Sequence, residues 1–231
     1  MKRFYKQADV KELGGSWQVT LDERPLKTVG GKQQIVASKE LAQAMAAEWN
    51  AQGEMLDPKG LIMRDQTDFA LDKVAVDPTE TIARTLAYGE TDTLCYRADP
   101  EDALFAQQQS VWEPIITAIE QREGVQFARV SGIVHRAHPD ATLPHLEKRL
   151  AQMDPFQLAG LHTMASLAAS LCIGLEALQP DADAQDLWQA ATLEEEWQAD
   201  LWGRDADAEA DRLRKRDDFL GAFRWTQLAL S

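Results

Sequence analysis

The sequence predicts an α+β protein, with a small N-terminal β-rich α/β domain followed by a larger all-helical domain. Short β-type runs separated by Gly-Gly pairs fill the first forty or so residues. A segment carrying Pro58 and Gly60 then interrupts the pattern, and beyond it apolar residues recur at helical spacing. We place the boundary there, giving domains 1–64 and 65–231. With 231 residues, 45% of them hydrophobic, the chain can bury one sizeable core or two small ones.

Taken in order, RFYK, SWQVTLD, RPLKT and KQQIVA read as strands. Gly30-Gly31 supplies the positive φ of a tight hairpin turn, and Trp17 to Leu21 alternates between a buried and a wet face. Ser38 is placed to cap a helix on which Leu41, Met45 and Trp49 share one side. Residues 77–88 start a second helix with Asp77 as cap and Pro78 at its first position. The stretch ETDTLCYRA fits either a short strand or a continuation of that helix. The next helix contains Pro114, which should kink or break it. VQFARVSGIV is ambiguous, and another helix is expected from about Pro139 to Met153.

From Pro155 to Leu175 no residue carries a formal charge with His162 neutral. That length could cross a bilayer, but polar side chains and abundant alanine favour a helix buried in a bundle, with no stable membrane insertion. A single helix over residues 184–202 and a final charged helix with i,i+4 ion pairs complete the chain.

A net charge of −14 excludes a general grip on phosphate backbones, so no nucleic-acid partner is expected. No Gly-rich phosphate loop, GxSxG elbow or HExxH motif is present, so neither a nucleotide nor any other cofactor is implied. Cys95 and Cys172, far apart in apolar runs, read as core thiols of a reducing compartment. His135, His138 and His145 lie in a proline-containing connection that suits solvent better than zinc, and His162 reads as a hydrogen-bonded core histidine. Asp65, Asp68 and Asp72 read as a solvated helix face. The start of the sequence lacks signal-peptide features and makes a poor mitochondrial presequence, which suggests a protein of the bacterial cytoplasm or a mature organellar one.

The segment LEEEWQADLWG, residues 193–203, holds the candidate site. On a helical wheel with Leu187 at zero, Ala191, Trp197, Leu201 and Trp202 form one broad apolar face, about 280° through zero to about 60°. Glu194 and Gln198 fall within that face, whereas Glu196 points away to solvent. A carboxylate among apolar neighbours is costly unless paired. Glu194 is therefore either bonded internally to an Arg or a tryptophan N–H, or it joins Gln198 as a polar anchor that a partner satisfies. Catalysis would need a second convergent acid or base, and none is nominated, so no catalytic residue is assigned. A carboxylate-dependent enzyme and a membrane-associated adaptor using residues 155–175 stand as alternatives.

Together, RFYK, WQVTLDERPLKT, LAQAMAAEWNAQ, YGETDTLCYRA, QSVWEP and LEEEWQADLWG resemble, in order, the assembly chaperones for the α subunit of the F-type ATP synthase. The resemblance spans nearly the whole chain. It implies a non-enzymatic protein that binds free α subunit, prevents its aggregation and yields when the β subunit assembles with it. It also implies a small α/β domain before a helical one, and a mitochondrial matrix location in eukaryotic relatives. Glu194 matches the first glutamate of the family's E-E-E-aromatic-Q run, while Trp49 and Arg97 match structural motif positions. The chain departs from the family pattern at Glu23, where glycine is common, and at Val29-Gly30-Gly31, where a proline is usual.

Overall fold

A computed structural model describes residues 1–132 and 136–231 and bears out the α+β class, a small N-terminal sheet followed by helices. The chain divides into two compact units, the first comprising Met1–Pro78, Asp154–Gly160 and Gly221–Ser231, the second Thr79–Met153 and Leu161–Leu220. The first unit therefore runs past residue 64 and takes in two distant segments.

In the first unit, β1 (Ala8–Leu13) pairs antiparallel with β2 (Ser16–Leu21), which also pairs with the short β3 (Arg24–Pro25) and β4 (Ile35–Val36). RFYK lies outside this sheet, and the residue before it, Lys2, forms an isolated antiparallel bridge with Met55. The true first strand is ADVKEL, a charged edge strand whose alternation places Ala8 alone in the core. Between β2 and β3, Asp22 (φ 46°) and Glu23 (φ 68°) adopt the left-handed pair that a two-residue hairpin turn demands. Glu23, a non-glycine residue at φ 68°, thus occupies a strained position. At the expected Gly30-Gly31 turn, Gly31 has φ 85° and donates to the Thr28 carbonyl at 2.9 Å.

Helix α1 (Lys39–Ala51) is capped by Ser38 Oγ, which accepts from Leu41 N at 3.1 Å, and it buries Leu41, Met45 and Trp49. Helix α2 (Ile62–Phe69) continues into a wide π turn, Ala70–Val74. Here the solvated-face reading is corrected for two aspartates. Asp68 is buried and accepts from Val29 N (3.1 Å) and Gln34 Nε2, and Asp72 accepts from Thr28 Oγ1 (2.8 Å) and Gly30 N (2.6 Å). Both acids hold the 28–34 turn, and burial raises the Asp68 pKa. Residues near the C-terminus return to this unit, where Trp225 Nε1 donates to Thr67 Oγ1 at 3.0 Å. A Cβ added at Gly160 would lie 2.1 Å from Thr226 Oγ1, so glycine permits that close approach.

The second unit begins with α3 (Thr79–Glu90) and then β5 (Tyr96–Arg97), which resolves ETDTLCYRA as a short strand after a single 3₁₀ turn. Helix α4 (Ala103–Glu123) runs unbroken through Pro114, and β6 (Val130–Ser131) pairs parallel with β5. After α5 (Thr142–Leu150), the uncharged stretch forms two helices rather than one. These are α6 (Pro155–Ala168), which starts in the first unit, and α7 (Leu171–Glu176). Ala169 (φ 48°) makes the break, and Ser170 Oγ caps α7 by accepting from Ile173 N at 3.1 Å.

Fully buried Asp92 accepts from Ser170 Oγ (2.7 Å), Cys172 N (2.8 Å) and Leu94 N (3.0 Å), with its pKa raised by burial. Cys95 and Cys172 are buried, and desolvation pushes both thiols up, away from reactivity. His162 Nδ1 lies 2.9 Å from Thr85 Oγ1. Among the described residues, no helix is long and apolar enough to cross a membrane. The chain ends in α8 (Ala184–Ala191), α9 (Leu193–Trp202) and α10 (Ala206–Ala229), the last finishing in the first unit.

Candidate partner-binding site

The helix expected over 184–202 is broken at Thr192, whose ψ of 9° leaves the helical range. On its near side, α8 is anchored. Asp183 caps it by accepting from Gln185 N at 2.8 Å, and Leu187, Trp188 and Ala190 are buried. The Ala190 carbonyl accepts from Trp112 Nε1 at 2.7 Å. On its far side, α9 has no side-chain cap and buries none of its residues. Leu201 is 62% exposed and Trp202 is 79% exposed, whereas Trp49, Trp112, Trp188 and Trp225 lie in cores.

Ion pairs tether α9. Glu196 binds Arg204 at 2.8 Å and Arg212 at 3.0 Å, and Arg204 also reaches Asp200 (2.9 Å) and Glu209 (3.1 Å). The hydrogen bonds that Arg204 donates to Asp200 first, then to Glu196 and Glu209, raise its pKa. The wheel-based reading of Glu196 as merely solvated is therefore corrected, because it is the acid that ties α9 to α10.

A groove of about 590 Å³ runs along α8 and α9 with one wall from α4. Val111, Ala190, Leu193, Trp197 and Leu201 give it an apolar lining, and Asp186, Glu196 and Asp200 are its charged residues. Among the described residues, no lysine or arginine lines it. The structure brings Trp197 and Leu201 into the groove but leaves Glu194, Gln198 and Trp202 outside its lining. Glu194 is half-buried and accepts from Gln198 Nε2 at 3.3 Å, and among the described residues neither an Arg nor a tryptophan N–H bonds to it.

The wheel erred for two reasons. Its zero, Leu187, faces the core of α8, and the break at Thr192 lets α9 turn its apolar side elsewhere. Val111 and Gln107 come from a helix far away in sequence, so no local periodicity could nominate them. Glu196 and Asp200 did carry a signal, since Asp200 and Arg204 stand four apart.

The other motif residues lie in cores. Trp49 is 7% exposed, packs edge-on to Tyr5 and receives the Tyr5 hydroxyl on its carbonyl at 2.6 Å. Arg97 in the second unit donates to the Gln108 carbonyl at 2.7 Å and pairs with Glu113 at 3.1 Å, its guanidinium 5.3 Å from the Trp112 ring centre. His138 has both ring nitrogens engaged, accepting from Ala128 N at 3.0 Å and lying 2.9 Å from the Gly89 carbonyl. His145 is exposed, and His135 lies outside the described residues. Among the described residues, no cluster of three His, Cys, Asp or Glu could hold a metal ion.

Comparison with known proteins decides the family. The family model described as ATP12 chaperone protein matches residues 2–120. The chain belongs to the ATP12 chaperone family. The resemblance read from the ordered motifs is thereby borne out. Because that match stops short of α8 and α9, the structural likeness extends the family to the rest of the chain. The crystal structure of Atp12 from Paracoccus denitrificans aligns with TM-score 0.91 at 32% identity, covering 99% of this chain and 98% of that one. A chaperone candidate from Agrobacterium tumefaciens aligns with TM-score 0.92 at 31% identity, over 100% of this chain and 86% of its own. The mitochondrial protein atp12 of Schizosaccharomyces pombe is 25% identical over 224 residues, 90% of this chain and 75% of that protein.

Proposed function

We propose that this chain is an ATP-independent assembly chaperone that holds the free α subunit of the F-type ATP synthase head until the β subunit replaces it. Its membership of the ATP12 family supports the class of activity. The observation that carries the site is α9, which holds two tryptophans and two leucines and buries none of them in its own chain. Exposed apolar surface of that kind, beside an apolar groove, is what a protein-binding site requires. An α subunit without its neighbours exposes interface that obligate assemblies cover, commonly more than about 2,000 Å² and largely apolar. A net charge of −14 opposes self-association while such surface is on offer.

In this reading Glu194, Gln198, Trp197, Leu201 and Trp202 form the client surface, and Trp49 and Arg97 maintain the two units. The protein works without a cofactor and without catalysis, in the bacterial cytoplasm, as its eukaryotic relatives work in the mitochondrial matrix.

The test is co-expression of the α subunit with and without this chain, scoring α in the soluble fraction. We expect α to be recovered only with the chaperone, and Glu194→Lys to lose that recovery while keeping its circular dichroism and thermal midpoint. Equal α recovery with and without the chaperone would sink the reading, and unfolding of Glu194→Lys would sink the anchor role.

A further inference from the structure

The groove along α4, α8 and α9 has a composition that specifies what enters it. We propose that it receives a cationic amphipathic helix of the client, apolar side inward, with lysines or arginines over the groove's acids; this rests on the chaperone reading above. The apolar lining of Val111, Leu193, Trp197 and Leu201 calls for an apolar stripe. Every charged lining residue is acidic, so the flanks of the occupant are basic.

That negative charge is only partly neutralised from within. Arg204 serves Glu196 and Asp200, and Arg212 also serves Glu196, but among the described residues Asp186 makes no ion pair, nor do the neighbouring Glu194 and Glu195. A second copy of this chain, itself at −14, would bring repulsion to the same place.

The occupant is helical because of what builds the walls. Three helices form them, with their backbone amides and carbonyls spent within the helices, so no sheet edge is offered for strand addition. On α9 the lining follows helical spacing at Leu193, Glu196, Trp197, Asp200 and Leu201, and that ten-residue helix is about 15 Å long at 1.5 Å per residue. That admits about three turns of a partner helix, enough for anchors at i, i+3 or i+4, and i+7.

The experiment uses the full chain and fluorescein-labelled peptides tiled along the α subunit, read by anisotropy at low and high salt. The expected result is saturable binding confined to peptides with net positive charge and helical apolar spacing, weakened by salt. Val111→Arg, which places a cation in the groove wall, should abolish it. Asp186→Asn should weaken binding several-fold, and Asp186→Lys more, with a shallower salt dependence. Because Asp186 is exposed, these variants fold even if Val111→Arg does not.

The proposal is overturned if binding peptides are neutral or acidic, or if the Asp186 variants match the parent. It is equally overturned if sedimentation shows a dimer of this chain that Val111→Arg dissociates, since the groove's occupant would then be a second copy. Any of these results alongside intact rescue of α on co-expression removes the groove assignment alone. Failure of that rescue removes the chaperone reading, and this proposal with it.

Discussion

Helix α2 with its π turn carries Asp65, Asp68 and Asp72, and helix α9 carries Glu194, Glu195, Glu196 and Asp200. Sequence alone makes the first set look solvated and, in the second, sets Glu194 within an apolar face while turning Glu196 to solvent. In the structure Asp68 and Asp72 turn inward onto backbone and side-chain donors of the 28–34 turn. The α9 acids stay at the surface, where Glu196 and Asp200 meet arginines and Glu194 accepts from Gln198. The lesson concerns donors. A carboxylate is drawn into a fold when nearby chain has N–H groups to satisfy, and stays available when its neighbours are already bonded.

The largest expected effect follows directly. Asp68→Ala strips the acceptor from Val29 N and from buried Gln34, and we expect a loss of about 2–3 kcal/mol in chemical denaturation. Glu194→Ala under the same conditions should stay within about 0.5 kcal/mol of the parent. Equal costs would erase the contrast between the two helices.

What could be read in advance divides along the same line. Ser38 and the α1 stripe were legible because cap and periodicity are local, as was the left-handed turn at Gly31. The α+β order was legible because punctuation by glycine and proline changes where strands give way to helices. ADVKEL was missed because an edge strand with charges on its open side lacks apolar alternation. Asp68 and Asp72 were misread because their donors lie about forty residues earlier, beyond any helical wheel. Of the candidate surface residues, Trp197 and Leu201 line the groove, whereas Val111 was invisible and the break at Thr192 undid the wheel that placed Glu194 within the apolar face.

A second prediction sharpens the buried side through pH. Leu61, at the start of α2, has no side chain able to cap it, so Glu48 reaches over from α1 and accepts from Met63 N at 2.8 Å and Arg64 N at 3.3 Å. Burial nevertheless dominates and raises the Glu48 pKa from 4.5 to about 7. Between those values the folded state keeps a proton that the unfolded chain releases, so stability falls as pH rises from 4.5 to 7. The contribution is complete below that window and gone above it. Water reaches part of the carboxyl, so the slope is smaller than the roughly 1.4 kcal/mol per pH unit of a fully buried group. Glu48→Gln cannot titrate. Denaturation series across this window should show a shallower pH slope for the variant than for the parent, and equal slopes would place the dependence elsewhere.

The smallest effect belongs to Arg204, which contacts Glu196, Asp200 and Glu209 at once and looks like the centre of the α9 surface. Its side chain is nevertheless 45% exposed, and ion pairs in that setting exchange one hydrated arrangement for another of nearly equal free energy. Arg204→Ala should therefore leave the thermal midpoint where it is, at low and at high salt alike. Its consequence is electrostatic. Removing the cation leaves Asp200 without an ion pair among the described residues and adds to the unneutralised charge beside the groove. Binding of a basic peptide should then tighten at low salt and return towards the parent value at high salt, as screening demands. If the midpoint drops sharply instead, the α9 acids serve the fold as Asp68 does, and the distinction between the two helices is lost.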